Sequence, residues 1–232
     1  MKIRFMYLLY IAVIAGMVIS AFIGNKAVSV LSESTIKKET PCVIVDAGHG
    51  GVDGGATSCT GVLESAINLE IAIKVNDLLN FLGVRTKMIR ATDCSVYTSG
   101  KTIAAKKVSD LKERVRIVDS IPNGLLISIH QNYFQQSQYS GAQVFYNAGQ
   151  GSMALAQEMQ GRFKITLNPN SKRQAKRASG VYLMEHIQNP GILVECGFLS
   201  NPQEESLLQN KVYQQNLACV ITTSVSRHLF SA

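Results

Sequence analysis

Three apolar runs in this chain lead to side chains that zinc accepts as ligands. Val43-Ile44-Val45 reaches His49 through Asp46-Ala47-Gly48, Leu126-Ile127-Ser128-Ile129 reaches His130, and Gly191-Ile192-Leu193-Val194 reaches Glu195. Short aliphatic, β-branched runs bounded by polar residues read as buried strands. Laid side by side in one sheet, they bring His49, His130 and Glu195 to the same edge, and open α/β sheets bind ligands beyond the carboxyl ends of their strands. Two imidazoles and one carboxylate make a catalytic zinc set that leaves a position for water. Glu64, which opens a long amphipathic segment, is a fourth candidate, although an acid there also suits the positive end of a helix. Glu195 is more telling, because a carboxylate closing a central apolar strand is costly unless something pairs with it.

The residues around these four divide into supporting and bland. Asp46 could orient a metal ligand or shape the loop from behind, or simply cap the turn at Gly48. Gly48-His49-Gly50-Gly51 has neither a Walker lysine nor a GxGxxG register; its glycines read as letting the backbone turn sharply and bring His49 to a metal. His186 and His228 read as structural or solvated. Cys196 directly follows Glu195, but strand neighbours point to opposite faces, which turns its thiol into packing. The cysteines, Cys42, Cys59, Cys94, Cys196 and Cys219, show no CxxC spacing and are odd in number, which argues against a cysteine zinc knuckle or a disulfide framework.

The elements that must carry these residues follow from periodicity. A strand at 43–45 leads into the glycine-rich loop 48–61. Ile67, Ile71, Val75, Leu78 and Leu82 recur at helical spacing, so a helix runs over 65–82 with Gly83 just past its end. A strand at 84–89, a polar loop over 93–108 and a helix over 110–119 follow. The apolar runs at 125–129, 142–146, 182–184 and 192–195 read as strands. Helices are expected over 152–163, with Ser152 as a candidate N-cap, and over 212–229, with another entered at Asn201-Pro202. Strands alternating with helices predict an α/β fold, a single domain with a twisted, mainly parallel sheet flanked by helices on both faces.

Composition bounds the rest. The chain has 232 residues, 46% hydrophobic, enough for one domain with a sizeable core. Lys2 and Arg4 precede a run from Met6 to Gly24 without a charge, which reads as a signal peptide or signal anchor over 1–24. A polar linker over 25–40 then leads to a catalytic domain over 41–232 that acts outside the cytoplasm, with the leader engaging the membrane during export. The formal net charge of +7 suits an anionic partner such as cell wall. Trp is absent and no DNA- or RNA-binding motif occurs, so nucleic acid is not expected as a partner. Lys164, Lys172, Arg173, Lys176 and Arg177 form a basic tract without an acid. It reads as a loop that is either solvated surface or a rim attracting carboxylates of a wall peptide.

Four segments carry a family resemblance. They are Val45-Asp46-Ala47-Gly48-His49-Gly50-Gly51, Glu64-Ser65-Ala66-Ile67-Asn68-Leu69, Ser128-Ile129-His130-Gln131-Asn132 and Leu193-Val194-Glu195-Cys196-Gly197-Phe198-Leu199-Ser200-Asn201. In this order they resemble the signature segments of the zinc-dependent N-acetylmuramoyl-L-alanine amidases of the Amidase_3 type. The likeness covers the chain from about Cys42 onward. The resemblance implies Zn2+ held by His49, Glu64 and His130, with Glu195 as the catalytic carboxylate. It implies hydrolysis of the bond between N-acetylmuramic acid and the L-alanine of the peptidoglycan stem peptide. Arg114 matches a recurrent family position and reads as structural. Ala47 stands where the family often has Pro, and Cys196 where it often has Thr. A hydrophobic leader followed by one bare amidase domain is similar to the CwlD-type amidases of spore formers. That narrower likeness implies action on spore cortex, muramic-δ-lactam formation and an accessory lipoprotein partner. Two other readings of the pattern are a catalytically silent wall-binding module and a zinc peptidase acting on wall peptides. A silent module should have lost at least one of the four chemical positions, and all four are present.

Overall fold

A computed structural model describes residues 41–230; the leader expected over 1–24 and the linker over 25–40 lie outside the described residues. The chain runs β1 (Cys42–Ala47), α1 (Glu64–Phe81), β2 (Thr86–Met88), α2 (Ile103–Asp119), β3 (Gly124–Asn132) and β4 (Gln143–Tyr146). It continues through α3 (Ser152–Thr166), β5 (Lys176–Arg177), α4 (Tyr182–His186), β6 (Gly191–Phe198), α5 (Pro202–Gln209) and α6 (Lys211–Phe230). One six-stranded sheet has the order β2-β1-β3-β6-β4-β5. All its pairings are parallel except β4 with β6.

β1, β3 and β6 occupy the centre, and this explains their unbroken apolar sequences: alternate residues feed cores on both faces of the sheet. Val43, Val45, Ile127, Ile129, Ile192 and Val194 pack with α1, α3 and α6. Ile44, Leu126 and Leu193 pack on the opposite face with α2 and α4. The mainly parallel sheet with helices on both faces is the one expected from the sequence.

Several boundaries differ from those expected of the sequence. Tyr182–His186 is a helix, not a strand. The segment holds no β-branched residue, the Tyr182 and His186 rings stack one turn apart at 3.8 Å, and Glu185 accepts from the Gly180 N–H at 2.6 Å. The polar stretch expected to be loop over 93–108 instead holds the first turns of α2: Thr102 accepts from the Ala105 N–H at 3.2 Å, and an Ala- and Lys-rich run propagates from that cap. Gly151, in a left-handed conformation, precedes α3, while Ser152 is buried and donates to Asn147. Lys176 and Arg177 of the basic tract form the edge strand β5 instead of lying in a loop. The helix entry at Asn201-Pro202 is as expected, the Asn201 carboxamide accepting from the Gln203 and Glu204 N–H groups.

Candidate active site

The sheet topology assembles the site. In the parallel β3–β6 pairing His130 lies opposite Glu195, so both side chains leave the same face at the carboxyl edge. β1 ends two residues before His49, which turns into the left-handed region at φ 60°. Helix α1 begins at Glu64 and points that carboxylate back at both imidazoles: Glu64 Oε1 lies 2.9 Å from His130 Nδ1, and Oε2 lies 3.3 Å from His49 Nε2. The ligand atoms of His49, Glu64 and His130 all fall within 4.8 Å of one another.

Glu64 is buried, at 3% exposure, and its oxygens are held from several directions. The Ala56 and Gln131 N–H groups and the Asn68 carboxamide all donate to it. A bulge between His130 and Asn132 breaks the β3–β6 register, and there the Gln131 N–H turns toward the same carboxylate as the His130 ring. This is more than the preference of an acid for a helix start.

His49 is oriented by a residue outside the matched segments. Asp53 Oδ2 lies 2.9 Å from His49 Nδ1, on the side of the ring away from Glu64, and the Lys107 ammonium pairs with Asp53 at 2.6 Å. Asp46, the sequence candidate for such support, touches neither imidazole; it accepts from Ser128 and pairs with Arg114. Its influence on the loop passes through that arginine. Arg114 donates to the carbonyls of Ala47 and His49, while Arg90 donates to those of Ala47, Gly48 and Ser65. Three consecutive carbonyls at the end of β1 are thus clamped by two buried guanidinium groups, each bond being of the stronger, charge-assisted kind.

Two glycines in the loop are steric requirements. A Cβ on Gly48 would sit 2.2 Å from His130 Nε2, and one on Gly55, already at φ 69°, would sit 2.6 Å from Glu64 Oε2. The His130 ring and the Glu64 carboxylate occupy the space a side chain would need.

Electrostatics follow from this crowding. Burial alone disfavours a charged His49, but its bonds to Glu64 and Asp53 outweigh that and raise its pKa to about 9. Burial would push Glu64 up; His130 and His49 overcome it and hold the carboxylate well below the usual range. Glu195 behaves oppositely. Burial raises its pKa to about 7, with the neighbouring Glu64 charge adding and His130 and His49 opposing. Glu195 Oε2 is a buried atom with no hydrogen-bond partner among the described residues, a costly state for a carboxylate. His49, His130 and Glu195 line one cleft of about 480 Å³, with Leu183 and Leu193 on its apolar wall.

The donor set fits zinc: two imidazole nitrogens and a carboxylate oxygen converge, one imidazole is backed by a carboxylate, and half-buried Glu195 stands beside them with one oxygen unpartnered among the described residues. Cys196 faces away, buried in the opposite core with its pKa pushed up by burial, so it is no thiolate nucleophile. His186 stacks on Tyr182, and His228 lies in the last turn of α6; neither joins the site.

Comparison with known proteins shows what the chain is similar to. The sequence profile of the N-acetylmuramoyl-L-alanine amidase family Amidase_3 matches residues 43–227. The chain is 37% identical over 188 residues to the germination-specific N-acetylmuramoyl-L-alanine amidase of Bacillus subtilis, covering 80% of this chain and 78% of that protein. Among solved structures, the CwlD amidase from Clostridioides difficile, determined in complex with the GerS lipoprotein, superposes with a TM-score of 0.79 at 35% identity. The match covers 83% of this chain and 100% of that one. An N-acetylmuramoyl-L-alanine amidase from Clostridium difficile 630 superposes with a TM-score of 0.70 at 30% identity, over 84% of this chain and 99% of that one.

Proposed function

Given that this chain belongs to the Amidase_3 family of N-acetylmuramoyl-L-alanine amidases, we propose that it is a zinc-dependent peptidoglycan hydrolase in which His49, Glu64 and His130 hold the metal and Glu195 moves the protons. The bond cut joins the lactyl carbonyl of N-acetylmuramic acid to the amino group of L-alanine. One observation carries the assignment of roles: three metal-type donors converge within 4.8 Å beside an acid whose buried oxygen has no partner among the described residues.

When bound, zinc supplies a Lewis acid that acidifies water and offsets negative charge developing on the scissile carbonyl oxygen. The chain does the rest. Glu195, as carboxylate, takes a proton from the attacking water. The C–O bond forms, the C–N bond breaks, and the same proton passes from Glu195 to the departing nitrogen. Glu195 must both accept and return a proton, a role worth on the order of 100- to 10,000-fold in rate. Asp53 holds His49 in the tautomer that leaves Nε2 free for the metal. The arginine clamp fixes the turn from which His49 projects.

The likeness to a germination-specific amidase supports a narrower reading. The protein acts on spore cortex peptidoglycan, where removal of the stem peptide exposes the muramic carboxyl for δ-lactam formation. The CwlD amidase was solved with a lipoprotein, and an accessory lipoprotein is proposed for this chain as well. The domain over 41–232 is proposed to work outside the cytoplasmic membrane, delivered by the hydrophobic segment over 1–24, in the cell wall or spore cortex.

The test is digestion of purified sacculi by metal-stripped protein with and without restored zinc. New L-alanine amino termini that appear only with the metal support the proposal. Release that is equal in excess chelator refutes the zinc dependence.

A further inference from the structure

A second cleft opens one strand away from Glu195. It measures about 520 Å³ and lies between the β3–β4 connection and the loop before β5; Tyr139, Gln143, Lys172, Arg173 and Lys176 are among its walls. Gln143 fixes its place. In the antiparallel β4–β6 pairing Gln143 lies opposite Glu195, so the two side chains share a face and their Cα atoms are about 5 Å apart.

The lining has a chemical sign. Among the described residues it contains three cations, several carboxamides and hydroxyls, and no carboxylate. Arg173 is fixed in place: it lies 4.6 Å over the Phe198 ring and donates to the Ser140 carbonyl at 2.9 Å and to Gln143 Oε1 at 3.3 Å. The acid nearest to it in influence, Glu204, already accepts from the Gly141 and Phe198 N–H groups. Lys172 and Lys176 are exposed, and among the described residues neither joins an ion pair. Of the other members of the basic tract, Lys164 sits on α3 and Arg177 lines a different depression, so three of the five charges converge here.

We propose that this cleft binds the carboxylate-bearing part of the peptide on the amine side of the scissile bond, Lys172 and Lys176 meeting its acidic groups while the carboxamides meet its backbone. The proposal rests on the amidase reading, since that reading puts the scissile nitrogen at Glu195. An extended peptide advances roughly 3.3 Å per residue and neighbouring strands lie about 4.8 Å apart. The second or third residue beyond the nitrogen therefore passes over buried Gln143, whose carboxamide is held by Gln174, Gln160 and Arg173, and reaches the cleft. A polyanion without peptide groups would satisfy the lysines but leave the carboxamide lining unused, which favours an acidic peptide.

The test uses the zinc-loaded protein and two soluble muropeptides of one sequence, one with free side-chain carboxylates and one with those groups amidated. In the parent, KM for the free-acid substrate should be the lower. The Lys172→Gln/Lys176→Gln double variant should raise KM for the free acid by about tenfold, the scale of two exposed ion pairs, and hardly move KM for the amidated substrate or kcat for either. Lys87→Gln, on the strand at the opposite edge of the sheet, serves as a charge control that leaves both KM values in place. An equal rise for both substrates, or no rise for the free acid, overturns the proposal. So does weaker sacculus binding with unchanged muropeptide KM, which would assign the cleft to a wall polyanion. A parent that cuts neither substrate overturns the amidase reading itself, a distinct failure.

Discussion

Removing the Asp53 carboxylate should weaken zinc binding without unfolding the protein. Within the proposed ligand set Asp53 touches only His49, at Nδ1 and 2.9 Å, and beyond it accepts from the Gly55 N–H at 3.3 Å. In Asp53→Ala the imidazole loses the partner that fixes its tautomer and ring plane, and loses one of the two charges that raise its basicity. Partners of this kind are worth roughly 10- to 100-fold in metal affinity, which is about 1.4 to 2.7 kcal/mol. The structural cost is smaller. Lys107 is released from its 2.6 Å pair with Asp53, but its side chain is 47% exposed and water solvates it, so less than about 1 kcal/mol of folding stability should go. Chelator-competition titration measures the first quantity, and thermal unfolding of the metal-stripped proteins measures the second. A variant with native circular dichroism and a zinc Kd within twofold of the parent would refute the idea that Asp53 positions His49.

Three further outcomes are expected. Glu195→Gln should bind zinc as the parent does and lose at least about 100-fold in kcat, because it is close to isosteric and removes only the proton carrier; turnover within tenfold of the parent removes Glu195 from the mechanism. Gly48→Ala should displace the His130 ring, since the new Cβ would lie 2.2 Å from Nε2; a variant that is still folded yet holds zinc at parental affinity contradicts the placement of His130. Zinc affinity should rise about tenfold per pH unit from 7 to 9 and level off above that, because metal must displace the proton that His49 retains up to about pH 9; titrations at pH 7, 8 and 9 that give a flat profile sink this linkage.

The parts of the site that lie on strands are legible in the sequence. His130 and Glu195 each terminate an apolar run whose burial on both faces leaves a clear pattern, and parallel pairing makes such ends converge. Glu64 is ambiguous from periodicity alone, because an acid at a helix start has an ordinary explanation; only the family resemblance separates it from that. The pattern does not reveal Asp53, and it offers Asp46 for the task that Asp53 performs. The loop between them has no repeat period, and which acid meets His49 depends on the left-handed turn at His49. Arg90 is hidden for a related reason, since all its carbonyl partners but Thr92 come from the end of β1 and from α1, segments separated from it by more than twenty residues. The Thr102 cap lies inside a polar stretch with many similar hydroxyls, so periodicity starts α2 too late and leaves Lys107 off it. Tyr182–His186 resembles a strand because one turn of helix is too short to show a 3.6-residue period.

The central claim is that water, handled by Glu195 beside a zinc held by His49, Glu64 and His130, cuts the muramic acid–alanine amide. Digestion of cortex-type peptidoglycan in 18O-enriched water, followed by mass spectrometry of the products, tests this most directly. The account predicts one heavy oxygen in the newly formed lactyl carboxyl, none in the released peptide with its free L-alanine amino end, and loss of both products in Glu195→Gln. Heavy oxygen in a peptide carboxyl, or sacculi that bind the zinc-loaded protein and remain uncut, would contradict it.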